Sequence, residues 1–306
     1  MNRTISQISK ALCVGVVVAL LFACGSSKTV DPLQPTRVIG LGDAYNDVSF
    51  GGADTRYTVR PLVTPTSGTS VVEYVAYRFG LGGLGVAVTA RTSLASTGIF
   101  SYAQGGSLVL SGPNKLSDQV SNAISDVGGR FNSNDLIVLT TGSDDLRAGS
   151  STEDIAVAVK SAVSTLLEAN AQYVLVMMPI DIAKTPGGQG SAAANATAAY
   201  ISSLGLKIKE ITQSKSRNPV ALMDPALSLN LLSASTSAFT DNTSGVAPGS
   251  VAGYCGPGVT TGCAEVAAQT PSYTAMFFAD ARNLTPAGNS WVADLLFVAT
   301  GSASWR

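Results

Sequence analysis

Three short segments hold most of the residues able to do chemistry. Gly42-Asp43-Ala44-Tyr45-Asn46-Asp47 and Gly142-Ser143-Asp144-Asp145 each follow an apolar run, and Asp280-Ala281-Arg282-Asn283 lies near the end of the sequence. They supply five carboxylates, with Ser49, Ser107 and Ser143 as nearby hydroxyls. A base is missing: the 306 residues include no histidine. Histidine is the usual general base near neutral pH and the commonest metal ligand, so Ser-His-Asp, Cys-His and histidine-metal mechanisms are excluded. Lysine, which loses its proton readily when buried, is the conceivable replacement, but none lies within or beside these segments.

Carboxylates brought close together cannot all stay ionised cheaply; some pKa values rise, or a cation enters. An oxygen-only set suits Ca²⁺ or Mg²⁺ better than a transition metal. Arg282 offers another solution, a guanidinium beside Asp280 that neutralises the group, and this salt-bridged arrangement is the preferred reading. Paired carboxylates also serve glycoside hydrolysis, but the sequence sets no separation for them. No metal or cofactor is assigned. Tyr45 and Tyr102 are candidates to flank the same pocket or to pack as half-buried aromatics.

The elements that must position these residues alternate. "TRVIGLG", "DLIVLTTG", "QYVLVMMP" and "NPVALMDP" are β-branched apolar runs ending in Gly or Pro, as strands buried on both faces do. Between them, Leu116, Val120, Ile124 and Val127 recur at helical spacing, and the segment opening at Thr152 has Glu153 and Asp154 in its first turn. "AAANATAAYISSLGLKIKEI" and "TPAGNSWVADLLF" are further helices. Strands alternating with helices predict an α/β fold with a parallel sheet covered on both faces, whose site lies beyond the carboxyl ends of its strands. Residues 228–271 show no period and read as a long excursion of functional or decorative kind.

Apolar residues make up 45% of the chain and charged residues 13%, with a net charge of −1 and no run of like charge, so nucleic-acid binding lacks its electrostatic footprint. Arg3 and Lys10 precede "ALCVGVVVALLFA", a run of signal-peptide length and short for a membrane span. Leu21-Phe22-Ala23-Cys24 resembles a bacterial lipobox, so residues 1–23 are expected to be a lipoprotein signal. Cys24 would be the acylated residue and 24–36 a tether stiffened by Pro32 and Pro35. Gly25 after the cysteine favours the outer membrane of a bacterial envelope. Cys13 leaves with the signal, and in an oxidising compartment Cys255 and Cys263 are expected to form a structural disulfide.

Together these segments resemble the blocks of the SGNH, or GDSL, esterase and lipase superfamily, over residues 37–306. The family's first block is Gly-Asp-Ser-x-x-Asp; Gly42, Asp43 and Asp47 match it, with Ala44 at the nucleophile. "FSYAQGGSL" resembles the second, placing Gly106 as an oxyanion-hole amide donor. "TTGSDDL" resembles the Gly-x-Asn-Asp block, with Gly142 and Asp145 matching and Asp144 in place of the oxyanion asparagine. "FADARNLTP" resembles the Asp-x-x-His block, with Asp280 matching and Asn283 at the base position. The resemblance implies a flavodoxin-like three-layer sandwich, the SGNH-hydrolase fold, and an ancestral carboxylic-ester hydrolase.

Acyl transfer needs a nucleophile, a base and donors where the oxyanion forms. Ala44 has no hydroxyl, Asn283 cannot accept and return a proton, and Asp144 aims negative charge where negative charge develops. The expected protein is an exported, lipid-anchored domain that is catalytically silent by the family route and keeps its pocket for an acyl or glycan ligand or its fold as scaffold. The alternatives are an active ester hydrolase with a rearranged site and a purely structural envelope lipoprotein.

Overall fold

The computed structural model describes residues 32–49, 56–59, 70–81, 88–90, 97–188, 191–225, 254–256, 258, 263 and 276–305. Its strands are β1 (Arg37–Leu41), β2 (Val88–Ala90), β3 (Gly98–Ser101), β4 (Asp135–Thr140), β5 (Tyr173–Met177) and β6 (Val220–Met223). They form one 6-stranded sheet in the order β2-β3-β1-β4-β5-β6, with every pairing parallel. Without the short edge strand β2, this is the order of flavodoxin-like doubly wound sheets.

Successive side chains of a strand face opposite ways, so a strand buried on both faces must be apolar throughout. Val38, Leu136, Val138 and Leu175 enter one core, beneath α1 (Val71–Arg78) and α6 (Pro286–Ser302). Ile39, Leu41, Ile137, Leu139, Val174 and Val176 enter the other, beneath α2 (Leu116–Asp126), α4 (Thr152–Glu168) and α5 (Ser191–Thr212). The result is the three-layer sandwich that the apolar runs predict.

Helix α1 is absent from the sequence reading. Its residues, "VVEYVAYR", carry β-branched valines that favour strands, and the cap decides otherwise. Glu73 reaches back to accept from both the amide and the hydroxyl of Ser70, at 2.8 and 2.7 Å. Val71, Val72 and Val75 then bury fully against the sheet.

The folded unit runs from Leu33 to Trp305, four residues ahead of the expected boundary at 37. Leu33 is buried, its amide donates to Trp305 O at 2.6 Å, and Thr36 N donates to Asn134 O at 3.2 Å. The expected signal segment, Cys24 and most of 228–271 lie outside the described residues.

The chain leaves β1 toward β3 on one side and returns to lay β4 on the other, so the β1/β4 boundary is the topological switch point. Binding crevices of doubly wound sheets open there. Gly42 ends β1 at φ +114°, where a Cβ would stand 1.7 Å from Thr140 O, so only glycine lets this turn close onto β4.

Candidate functional site

The floor of the site is the turn after β1. Gln119, buried on α2, accepts from Gly42 N at 2.6 Å and donates to Gly42 O at 2.9 Å. Thr140, at the end of β4, donates to Asp43 Oδ1 at 2.7 Å, and Tyr45 N donates to the same oxygen at 3.2 Å. Asn46, fully buried, ties Leu41 O to Val138 O through one amide group. The turn is thus locked to both central strands, with Ala44 half-buried at its apex.

Two of the five carboxylates hold the neighbouring loop. Asp47 accepts from Gly105 N at 2.8 Å and from Ser49 N at 2.8 Å. Asp145 accepts from Val109 N at 2.8 Å and Leu110 N at 3.2 Å. Between these anchors Gly106 is exposed at φ +79°. Neither Ala44 N nor Gly106 N donates to an acceptor among the described residues. Backbone amides thus engage Asp47 and Asp145, which flank Asp43 and Asp144 in sequence.

The far wall is the loop before α6. Asp280 Oδ1 accepts from the amides of Arg282 and Asn283, each at 2.8 Å. The Asn283 side chain donates to both Asp280 oxygens at 3.1 and 2.9 Å. Thr285 caps α6 by accepting from Gly288 N at 3.0 Å. The disulfide Cys255–Cys263 is present, and its segment braces this wall: Tyr254 N and Cys255 N donate to Phe278 O and Ala279 O at 3.1 and 2.6 Å.

One ion pair crosses the site. Arg282 Nη1 donates to Asp144 Oδ1 at 3.0 Å, the guanidinium being 40% exposed and the carboxylate 14%. The sequence reading set this arginine beside Asp280; the structure places only its amide there, because Asn283 already occupies the Asp280 carboxylate. Tyr45 Oη donates to Arg282 O at 3.0 Å, linking the floor to the wall. Tyr102 is not at the site: it is buried in the other core and donates to Asp126 at 2.8 Å.

Two residues outside the motifs join the site. The ring of Tyr57 covers Gly105, where a Cβ would meet it at 1.9 Å. Burial, Asp47 and Asp144 push its phenol up, against the pull of Arg282. Arg147, at the end of α3 (Ser143–Arg147), donates to Thr185 Oγ1 at 3.0 Å while its buried Nε has no partner among the described residues. Burial lowers its pKa, and the Tyr45, Arg282, Asp144 and Asp280 charges all act on it. No motif marks either residue. Among the described residues no group of three or more His, Cys, Asp or Glu side chains is placed to hold a metal ion.

Burial, then Asp144, pushes Asp43 up from 3.8 to about 7, against the hydrogen bonds from Thr140 and Tyr45. Below 3.8 both folded and unfolded chains carry this proton; between 3.8 and about 7 only the folded chain does. The Asp43 contribution to stability is therefore lost as pH rises through that window. Asp43→Asn keeps an acceptor oxygen for both hydrogen bonds and abolishes the titration. We expect its melting temperature to match that of the unaltered protein near pH 4 and to exceed it at pH 8. The corresponding gap in unfolding free energy should be on the order of a few kcal/mol, at about 1.4 kcal/mol per pKa unit. Parallel pH profiles in calorimetry would contradict this account.

None of the three serines meets a base. Ser49 Oγ accepts from Arg56 at 3.2 Å, Ser143 opens α3, and Ser107 Oγ has no partner among the described residues. Among the described residues the site presents free amides, a half-exposed guanidinium and an aromatic face, and neither Ser49 Oγ nor Ser107 Oγ has a hydrogen bond to a base.

No family model and no curated protein matches this chain. Among solved structures it is similar to the acetyl xylan esterase AlAXEase, at 14% identity and TM-score 0.49, covering 86% of this chain and 98% of that one. It is similar also to a member of the lipolytic G-D-S-L family from Veillonella parvula, at 13% identity and TM-score 0.41, covering 69% and 88%. A GDSL-like lipase from Bacteroides thetaiotaomicron gives 11% identity and TM-score 0.43, covering 88% and 92%.

Proposed function

We propose that this chain is an SGNH-superfamily domain that has lost ester hydrolysis by the Ser-His-Asp route and uses the same crevice to bind an acyl or acetylated glycan ligand. The observation that carries this reading is the Arg282–Asp144 ion pair. It spans the crevice where the family pattern requires a neutral oxyanion donor, and it stands beside a turn that offers only the Ala44 methyl. A carboxylate there repels the developing oxyanion, while loss of one donor alone costs roughly 10²–10³ in rate. Binding makes weaker demands. The Ala44 and Gly106 amides and the exposed part of Arg282 are hydrogen-bond donors for an ester carbonyl, and Tyr57 supplies a flat apolar surface.

Leu21–Cys24 supports the further reading that the domain is exported and held in the cell envelope by acylated Cys24, with the outer membrane favoured by Gly25. The test uses protein from Ser26 onward with acetylated xylo-oligosaccharides and short-chain alkyl esters. The reading predicts a ligand-dependent rise in melting temperature with the ester recovered intact. Release of acetate, or no shift with any of these ligands, would overturn it.

A further inference from the structure

Beneath the Gly42–Asp43 turn lies a cavity of about 10 Å³, lined by Gly42, Asp43, Ser107, Gln119, Thr141 and Gly142 among others. Asp43 Oδ2 and Ser107 Oγ have no partner among the described residues, and Thr141 Oγ1 adds a buried hydroxyl shared with Tyr200. Asp43 is 4% exposed and Thr141 is 3% exposed, so bulk solvent does not serve them. Tyr200 Oη lies beside Thr141, and a side-chain hydrogen bond between them draws the Tyr200 phenol down against the effect of burial; the Thr141 hydroxyl keeps capacity for a further bond. Buried polar groups are almost always partnered, by protein or by ordered water. Two orphans and a partly engaged hydroxyl around one small space therefore need a common explanation.

We infer that this cavity is the seat of a single internal water molecule bridging Asp43 Oδ2, Ser107 Oγ and Thr141 Oγ1. Its volume is at the lower bound for one water, and the number of partners is typical of buried waters. Two hydroxyls and one carboxyl oxygen fit the two donors and two acceptors of water. The site suits water better than a cation. Water turns a lone pair toward a protonated Asp43 and a hydrogen toward an ionised one, and Asp43 exchanges its proton near neutral pH. A cation serves the ionised form alone, and three oxygens fall short of the coordination that Ca²⁺ requires. The bound water completes the underside of the turn that carries Ala44, so the free Ala44 amide is held from below through a solvent molecule. This inference is independent of whether the crevice above binds or hydrolyses esters.

The test pairs a high-resolution crystal structure with two variants. The expected density peak lies about 2.6–3.1 Å from all three oxygens. An unoccupied cavity overturns the inference, and so does a peak with cation distances of about 2.3–2.6 Å. Thr141→Val keeps the shape but removes one partner of the water, and it should lower the melting temperature by several degrees. Because Thr141→Val also removes the partner of Tyr200 Oη, Ser107→Ala is the deciding variant: with the water bound it should lower the melting temperature, and if no water is bound it deletes an unpaired hydroxyl and leaves the melting temperature unchanged or raised. For either variant, magnetic relaxation dispersion should show a long-lived internal water present in the unaltered protein and lost. Should Thr141→Val fail to fold, the Ser107→Ala measurement decides the matter alone.

Discussion

The triple variant Ala44→Ser/Asp144→Asn/Asn283→His is expected to hydrolyse a short-chain chromogenic ester at a rate on the order of 10³-fold or more above the unaltered protein. Removing triad members from a working protease costs on the order of 10⁶, and the residual catalysis comes from oxyanion donors and binding. The reverse operation starts here from a site whose supports are in place. Asp280 already accepts from the side chain at position 283 at 3.1 and 2.9 Å, the contact that would fix the tautomer of a histidine. The turn bearing position 44 is locked by Gln119, Thr140 and Asn46, so a serine hydroxyl there starts from a fixed backbone. Asn at 144 keeps the shape, releases Arg282 and turns a repelling carboxylate into a donor. Because the losses are not additive, Ala44→Ser alone should stay near background: without a base its hydroxyl is a weak nucleophile. A triple variant as inactive as the parent would mean that the crevice itself no longer admits an ester.

The largest expected loss of stability lies at the opposite end of the same two strands. Arg37 and Asp135 face each other in register at the starts of β1 and β4. The guanidinium donates from Nε to Asp135 Oδ1 at 2.7 Å and from Nη2 to Oδ2, and Asn132 N donates to Oδ2 at 2.8 Å. Side-chain exposure is 6% for Arg37 and 0% for Asp135. Asp135→Ala leaves a buried cation without its partner, and such changes cost roughly 3–5 kcal/mol. At roughly 2–4 °C per kcal/mol, the melting temperature should fall by about 10 °C. The double change Arg37→Met/Asp135→Leu removes both charges and should recover most of that loss, since well-packed apolar replacements of buried pairs are often neutral. Denaturant unfolding of the single and double variants checks both expectations. A single variant within about 1 kcal/mol of the parent would contradict the buried-pair account.

Much of this architecture was legible because burial on both faces leaves a direct trace. β4, "DLIVLT", is apolar from Leu136 to Leu139 because alternate side chains enter different cores, and β1, β5 and β6 carry similar apolar runs. Helix α2 was legible from its apolar spacing and α4 from the acids Glu153 and Asp154 in its first turn, and α5 and α6 were read as the segments between and after the strands. Helix α1 was not, because local valine content pointed to strand while tertiary packing and Glu73 favoured helix. The edge strand β2 and its neighbour β3 carry only 3 and 4 residues, too few for a period.

At the site, the turn after β1, the start of α3 and the loop before α6 are linked by Tyr45–Arg282 and Arg282–Asp144 contacts. Which partner each charge chooses was hidden. The Arg282–Asp144 pair joins residues 138 positions apart, and Asn283 displaces the guanidinium from the nearer Asp280. Asp47 and Asp145, read as motif support, accept from loop amides. Tyr57 reaches the site from a segment without a motif, and Arg147 directly follows the "TTGSDDL" block, whose pattern does not include it.

The most direct test of the central claim is the hydrolysis of a short-chain chromogenic acyl ester by the unaltered protein, with Asp280→Ala measured beside it. The account predicts rates indistinguishable from each other and from buffer, because no nucleophile and base are in contact among the described residues of the site. Turnover well above buffer that Asp280→Ala abolishes would contradict it and would establish a working catalytic route through this crevice.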